Sequence, residues 1–335
     1  MRDPAFWWRP PGQAGLAAAC LAPVAALYGR IAAGRMRRRG ASAGVPVICV
    51  GNFTLGGTGK TPLAIWLARM LSDIGATPVL LSRGYGGSVP GPLTVDPARH
   101  SAAQVGDEPL LLARAATTIV ARDRAAGARA AVEAGASIIV MDDGLQNSAI
   151  EKDLAIAVVD GPRGVGNARV FPAGPLRAPL ASQLAHVNAL LVVGDAAGAG
   201  QVIAAASSRG VRVFHAALVP DRATLTEFRA QKVLAFAGIG DPGKFFATLK
   251  AAGISAPVRM SFPDHHRYSS RDAKTLLERA GHERLELLTT EKDIARMAGD
   301  PKLAALAARA KALPVTLSFH DAAEFRALVL SKIRK

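Results

Sequence analysis

The run Val47-Ile48-Cys49-Val50-Gly51-Asn52-Phe53-Thr54-Leu55-Gly56-Gly57-Thr58-Gly59-Lys60-Thr61-Pro62 restricts the fold of this chain more than any other stretch. A short apolar β-type segment enters a Gly-rich turn, then Lys-Thr, then an apolar helical pattern from Leu63 to Leu71. Strand, glycine loop and helix in that order form a phosphate cradle. Glycines let backbone N–H groups converge on phosphate oxygens, and the helix N-terminus adds partial positive charge. Thr54, Leu55, Gly56, Gly57, Thr58, Gly59, Lys60 and Thr61 are the candidate binding positions. Lys60 would reach the β/γ-phosphates and the Thr61 hydroxyl would face Mg²⁺. The general pattern has glycine where Thr54 stands, so the match to it is one residue short. The expected ligands are a nucleoside triphosphate and Mg²⁺.

A chain of 335 residues is long for one core and suggests two domains. Around Val219-Pro220 the pattern restarts. The division expected is 1–40 for an N-terminal membrane-associated helix and basic cluster, 41–218 for the phosphate-loop domain, and 219–335 for a smaller C-terminal α/β domain. The two cysteines, Cys20 and Cys49, lie in separate apolar segments. They make no disulfide framework and no structural zinc site, as in a reducing compartment.

A net charge of +15 raises nucleic acid as a partner. No Lys/Arg-rich helix is interleaved with aromatics, so no nucleic-acid partner is expected. The densest cluster is Arg30, Arg35, Arg37, Arg38 and Arg39, directly after the uncharged stretch Gly12 to Tyr28. That order favours an anionic lipid surface. A spanning helix needs about 20 strongly apolar residues. This run is short, Ala/Gly-rich and carries Pro23. A helix lying on the membrane, with Phe6, Trp7 and Trp8 at headgroup level, fits better than a spanning one or a signal peptide.

After the loop helix, β-type stretches recur at α/β spacing: Pro78 to Ser82, Thr118 to Ala121, Ile138 to Met141, Leu154 to Val159 and Leu190 to Val193. Helical patterns fall between several of them, such as Leu110 to Ala116 and Arg124 to Ala134. This alternation predicts a mainly parallel sheet with both faces covered. Ligands in such folds sit at the carboxyl ends of the strands, so the polar residues there are the ones to weigh. Ile138 to Asp143 is an apolar strand ending in Asp142 and Asp143, which resembles a magnesium-orienting acid strand. A bland strand-end turn at Asp143-Gly144 is the competing reading.

Ser82-Arg83-Gly84-Tyr85-Gly86 follows another strand, with open roles for Arg83 and Tyr85. In Gly106-Asp107-Glu108-Pro109, Asp107 fits an N-cap and Pro109 a first helical position. The two carboxylates are also candidates for a base near the phosphate, and Glu108 for a further metal ligand. Gly161 to Arg177 is long, Gly/Pro-rich and without periodicity, as functional loops are. Its Arg163, Arg169 and Arg177 are available to phosphate.

In the C-terminal part, Gly238-Ile239-Gly240-Asp241-Pro242-Gly243 after a strand spells a dinucleotide fingerprint. Pro242 and Lys244 crowd that turn, and a better nucleotide loop exists upstream, so a tight turn is the preferred reading. Phe262-Pro263-Asp264-His265-His266 is a dense His cluster without further ligands at metal spacing, and the role of His266 stays open. Leu287 to Asp293 reads as a strand ending in polar residues. A strand from Leu313 to Phe319 and a basic helix to Lys335 close the chain.

Taken in order, Gly-Asn-Phe-Thr-Leu-Gly-Gly-Thr-Gly-Lys-Thr-Pro, Ser-Arg-Gly-Tyr-Gly, Gly-Asp-Glu-Pro, Asp-Asp-Gly-Leu-Gln, Pro-Ala-Gly-Pro-Leu-Arg, Phe-Ala-Gly-Ile-Gly, Phe-Pro-Asp-His-His and Thr-Thr-Glu-Lys-Asp resemble the tetraacyldisaccharide 4′-kinases of lipid A biosynthesis. The resemblance runs from the apolar N-terminal segment to about residue 295. It implies two α/β/α sandwich domains of phosphate-loop or Rossmann-like type, an N-terminal membrane-associated helix, and an active site between the domains. It implies a peripheral or monotopic inner-membrane enzyme at the cytoplasmic face. The reaction implied moves the ATP γ-phosphoryl group to the 4′-hydroxyl of lipid A disaccharide 1-phosphate, giving lipid IVA. The partners implied are that lipid and anionic inner-membrane lipid, with no obligate protein partner evident. The family's base-like Asp falls on Asp107 and its His partner on His265, which would orient Asp107 or raise its basicity. The acid-strand carboxylates fall on Asp142 and Asp143. Arg177 would neutralise phosphate charge.

A second reading is a membrane-docked regulatory ATPase of the deviant-Walker type, whose loop is similar. Those proteins carry a Lys immediately before the Gly-Gly, where this chain has Leu55.

Overall fold

The computed structural model describes residues 3–333. Its strands are β1 Val47–Gly51, β2 Pro78–Ser82, β3 Leu93–Thr94, β4 Thr118–Val120, β5 Ile138–Asp142, β6 Leu154–Asp160, β7 Ala189–Val193, β8 Arg212–Pro220, β9 Lys232–Ala237, β10 Ser255–Ser261, β11 Glu286–Thr290, β12 Ala310–Leu313 and β13 Val315–Phe319. The fold is mixed α/β with parallel sheets, as the alternating pattern anticipates.

The chain divides into two compact units, and neither is the contiguous stretch 41–218 or 219–335. One unit gathers Asp3–Arg83, Ala121–Leu218 and the residues from Leu317 onward; the other gathers Gly84–Val120 and Val219–Thr316. Boundaries read from sequence follow breaks in pattern. Here the chain leaves one core after Arg83, packs into the other through Val120, and returns. The end of the expected C-terminal helix at Lys335 lies outside the described residues; the helix is described over Ala322–Ile333.

In the first unit the strand order is β13-β8-β7-β6-β1-β5-β2. β1 pairs in parallel with β5 and β6, β5 with β2, β6 with β7 and β7 with β8. β1, β2, β5, β6 and β7 are buried at every position. Continuous runs such as Ile-Ile-Val-Met and Leu-Ala-Ile-Ala-Val-Val produce this, because a parallel strand covered on both faces has no polar side. Register places Val50 beside Asp142, so the strand feeding the glycine loop and the strand ending in aspartates finish side by side.

The N-terminal apolar stretch forms two helices, Gly15–Cys20 and Ala22–Met36. Pro23 sits in the first turn of the second, where its missing N–H costs nothing. Among the described residues, no helix is long and apolar enough to cross a membrane. Leu16, Val24, Leu27 and Ile31 are nevertheless exposed, Leu16 at 85%.

In the second unit a four-stranded parallel sheet has the order β10-β9-β11-β12. β9 is buried from Val233 to Ala237. β10 alternates buried Ala256 and Val258 with exposed neighbours, as an edge strand half open to water does. Two cores cover the faces of this sheet, one around Leu234, Phe236, Tyr268 and Leu276, the other around Val233, Ala235, Phe245 and Leu249. β3 and β4 form a short antiparallel pair. The strand expected over Leu313 to Phe319 is two strands: Pro314 separates β12 from β13, and they join different sheets. A proline cannot donate to a ladder, so the run breaks there.

Candidate active site

The glycine loop is built from β1 and the helix Lys60–Asp73. Gly59 enters that helix at φ +92, a left-handed backbone that side chains with a Cβ rarely adopt. Thr54, Thr58, Lys60 and Thr61 are buried, Lys60 to 7% exposure. A buried lysine needs an anion. The Lys60 ammonium stands 3.7 Å from the Asp143 carboxylate. Arg177 donates to the same oxygen at 2.8 Å. Burial opposes ionisation of Asp143, but Lys60 and Arg177 outweigh it and hold the carboxyl well below the usual carboxylate range.

Arg177 also fixes the loop. Its Nε donates to the Thr54 carbonyl at 3.0 Å and its backbone N–H to Phe53 at 2.8 Å. The Leu55 N–H donates to Pro175 at 2.9 Å. The end of the long Gly161–Arg177 stretch is therefore stitched to the front of the glycine loop. Gln146 extends the network: its amide donates to the Asn52 carbonyl and to Gln183 Oε1, both at 2.7 Å. Gln183 in turn donates to Phe53 and Ala178 carbonyls. Of the three loop arginines, Arg177 is the one that reaches Asp143. Arg163 instead lies over the Trp8 ring, 4.9 Å from its centroid, and Arg169 donates to the Ala18 carbonyl at 3.5 Å. Both serve the N-terminal segment, which the loop also grips through Asn167 to Phe6 and through Trp7 to Pro172.

Asp142 is buried at 1% exposure, and its carbonyl accepts from Arg124 Nη2 at 3.0 Å. Arg124 is itself only 2% exposed. Burial disfavours its charge, while Asp142 and Asp143 favour it. Arg124 carries no sequence signal, since one arginine at a helix start makes no motif. Asp123 before it caps the helix by accepting from Ala125 and Ala126. Gln146 belongs to a quoted motif, but its bonds could not be read from spacing.

The second unit holds Asp107, Glu108 and His265. Asp107 is the first residue of the helix Asp107–Leu112, not its N-cap; Gly106, at φ +90, holds the cap position. An added Cβ at Gly106 would lie 2.5 Å from the Tyr85 carbonyl, so glycine alone fits. Asp107 is 4% exposed. His265 Nδ1 lies 3.5 Å from Asp107 Oδ1. Arg296 Nε donates to Asp107 Oδ2 at 2.7 Å. Burial raises the proton affinity of Asp107, but the His265 hydrogen bond, Arg296 and Lys292 together hold it well below the ordinary range. His265 moves the opposite way: its bond to Asp107 raises it above the ordinary imidazole value, against burial. The surroundings of Asp107 thus lower its basicity, contrary to one of the two roles that the resemblance implies for His265.

Glu108 is engaged by Lys292, at 2.6 Å. Among the described residues, no group of three or more His, Cys, Asp or Glu could hold a metal ion by itself. His266 Nε2 donates to the Asp272 carboxylate at 3.1 Å, and its ring stacks on Phe262. The Tyr85 ring packs edge-on to His265, centroids 5.1 Å apart. Gly238 of the dinucleotide-like turn is occupied at both backbone groups: its N–H donates to Asp293 at 3.0 Å and its carbonyl accepts from Arg296.

Two of the four described non-glycine residues with positive φ are Asp143 (φ 52) and His265 (φ 54). Such conformations persist where surroundings over-determine them, often at functional sites.

A buried strand, a glycine loop whose lysine faces a strand-end aspartate, and an adjoining parallel sheet define an α/β phosphate-loop protein of the kind that handles nucleoside triphosphates. Comparison with known proteins is specific. The family model for tetraacyldisaccharide-1-P 4′-kinase, LpxK, matches residues 17–334. The tetraacyldisaccharide 4′-kinase of Rhodopseudomonas palustris strain BisA53 is 52% identical over 333 residues, 99% of this chain and 96% of that one. That of Methylobacterium sp. strain 4-46 is 53% identical over 334 residues, covering 100% and 98%. A crystal structure of LpxK from Aquifex aeolicus in complex with ATP superposes with a TM-score of 0.75 at 27% identity, covering 94% of this chain and 99% of that one. The chain belongs to the tetraacyldisaccharide-1-P 4′-kinase family.

Proposed function

We propose that this chain transfers the γ-phosphoryl group of ATP to the 4′-hydroxyl of a tetraacylated glucosamine disaccharide 1-phosphate, at the cytoplasmic face of an inner membrane. The observation that carries the chemistry is the convergence of Lys60 and Arg177 on Asp143 beside the glycine loop. Phosphoryl transfer is mostly positioning and charge neutralisation, and this arrangement stores two cations where phosphate charge would arrive.

The residues present fit Mg²⁺. The Thr61 hydroxyl and the Asp142 and Asp143 carboxylates are hard oxygen donors at the ends of β1, β5 and the loop. Magnesium is commonly held by one or two carboxylates plus substrate phosphates rather than by an all-protein cage, so it needs no acidic cluster larger than those found among the described residues. When bound, the ion would neutralise charge on the β- and γ-phosphates. Lys60 would hold the γ-phosphate, and Arg177 would exchange its pairing with Asp143 for phosphate oxygens. Glu108, paired with Lys292, is the weakest of the metal candidates, and we assign it the support of Asp107 instead.

Asp107 would accept the 4′-hydroxyl proton as the new O–P bond forms and the bond from the γ-phosphorus to the leaving oxygen breaks, releasing ADP. The His265 contact orients Asp107 Oδ1. On the membrane side, exposed Leu16, Val24, Leu27 and Ile31, followed by Arg30 to Arg39, suit a helix pair lying in the interface, apolar residues in lipid and arginines on anionic headgroups.

The test is ATP consumption with and without the lipid acceptor. Turnover that requires the disaccharide lipid supports the kinase. High acceptor-independent turnover that depends on dimerisation would support the deviant-Walker ATPase instead.

A further inference from the structure

Arg296 lies in no quoted motif, yet it is one of the most deeply engaged charges in the second unit, with its side chain 6% exposed. Its guanidinium spans two carboxylates. Nε donates to Asp107 Oδ2 at 2.7 Å, and Nη1 donates to Asp293 Oδ1 at 3.0 Å. Nη1 also donates to the Gly238 carbonyl.

Asp293 is the fixed end of this chain of contacts. It is fully buried. Its Oδ1 accepts from the Tyr268 hydroxyl at 2.9 Å and the Gly238 N–H at 3.0 Å. Its Oδ2 accepts from the Thr290 hydroxyl at 2.6 Å and the Thr289 hydroxyl at 3.2 Å. A carboxylate with that many donors has one orientation, and so does the planar guanidinium it holds.

The two oxygens of Asp107 therefore have different surroundings. Oδ2 is clamped by Arg296, while Oδ1 faces His265 and the Glu108 N–H at 3.1 Å. The geometry points to Arg296 as a positioning residue, which acts through Asp107 by fixing Oδ2 so that Oδ1 is the oxygen presented for proton transfer, with Asp293 as its anchor. This rests on the reading of Asp107 as the proton acceptor. It gives the Thr-Thr-Glu-Lys-Asp motif a function: its Asp293 and the Arg296 one turn later form a rigid mount for Asp107, and its Lys292 holds the neighbouring Glu108.

The charged groups around Asp107 are Arg296 and Lys292 from one helix, His265 and Asp264 from one turn, and Glu108 on its own helix; Asp293 lies beyond Arg296. Removal of the Arg296 cation leaves Asp107 with less positive charge nearby, which raises its affinity for a proton and also strengthens the pull of Asp107 on the His265 proton.

The test uses the full-length enzyme with Arg296→Gln and Arg296→Lys, both checked for folding by thermal unfolding. Three quantities are read: kcat against pH with saturating lipid acceptor, KM for ATP, and the His265 titration by NMR. In Arg296→Gln we expect kcat at pH 8 to fall at least about tenfold, its acid limb to move up by about one pH unit, and the His265 midpoint to rise, with KM for ATP unchanged. Arg296→Lys should recover part of kcat. A loss of kcat with the acid limb and the His265 midpoint both unmoved would overturn the proposal, as would full activity. If Arg296→Gln does not fold, Arg296→Lys, which keeps the charge and loses the planar fork, decides by kcat against KM: a reduced kcat with KM for ATP unchanged supports the clamp, and full activity overturns it. Failure of the proposed function itself looks different: the parent chain would not phosphorylate the acceptor at all, while the His265 titration would still report on the clamp.

Discussion

Arg177 and Asp143, 34 residues apart in sequence, meet at 2.8 Å, and Lys60 approaches the same carboxylate oxygen at 3.7 Å. Arg177 closes a long loop without regular structure, and Asp143 stands in a left-handed turn after β5. The pair ties the loop to the glycine cradle through Thr54 and Phe53. A cation already paired with a carboxylate can be handed to phosphate with little reorganisation, which is where a preorganised site gains its rate.

Arg177→Met should therefore harm both binding and transfer. It removes one cation beside Asp143 and the donor to the Thr54 carbonyl. Phosphate transfer to the lipid should fall by about 10²-fold or more, and ATP affinity should weaken, measured by nucleotide titration. Arg163→Met and Arg169→Met should leave ATP affinity close to the parent value, because those arginines hold Trp8 and Ala18.

The Asp107–His265 pair carries a definite pH signature. His265 is raised above its ordinary value, so its contribution to stability is complete below an unfolded-state value of about 6.5 and is lost as pH rises through the folded value. Asp107 is lowered, so its contribution is present above the ordinary carboxylate range and is lost as pH falls below it. The difference in melting temperature between the parent and His265→Ala should be larger at pH 6 than at pH 9. Asp107→Asn should return the His265 midpoint toward about 6.5 in an NMR titration.

Asp293 should be among the most sensitive residues of its unit. Asp293→Ala leaves a buried guanidinium, a tyrosine hydroxyl and a backbone N–H short of their acceptor. Breaking a buried ion pair from one side costs about 3–5 kcal/mol, measurable by urea unfolding. Tyr268→Phe deletes one hydrogen bond and should cost about 1–2 kcal/mol.

The N-terminal helices offer a separable test of membrane docking. Leu16→Glu with Leu27→Glu places two charges on an exposed apolar surface and should reduce binding to vesicles containing anionic phospholipid by at least about tenfold. ATP affinity in solution should be unchanged, because both side chains are exposed, Leu16 at 85% and Leu27 at 62%. Parent-like vesicle binding would contradict the docking surface.

Much of the first unit was legible because its signals are local. Lys60 and Thr61 follow glycines after a strand, and Asp142 and Asp143 end an uninterrupted apolar run. β1, β2 and β9 fall on the residues read as strands. What sequence could not show depends on tertiary contacts. Arg124 and Arg296 are single arginines on helices, indistinguishable from surface charges until their burial is seen. The assignment of Gly84–Val120 to the unit of Val219–Thr316 follows from packing, for example Ala295 in one core with Val105 and Val120, and leaves no mark in local pattern. Pro314 is a break inside a run, Leu313 to Phe319, whose apolar pattern reads as one strand. The sense of the Asp107–His265 coupling is also out of reach of local pattern, because it depends on the contact between these two distant residues and on the Arg296 and Lys292 cations beside Asp107.

The most direct test of the account is transfer of labelled γ-phosphate from ATP to lipid A disaccharide 1-phosphate in detergent micelles, with the position of the new phosphate read by NMR. The parent chain should place phosphate on the 4′-hydroxyl, Lys60→Ala should lose at least about 10²-fold of that rate, and Asp107→Ala should lose it while still binding ATP. Undiminished transfer by Lys60→Ala, or label released as free phosphate with none on the lipid, would contradict it.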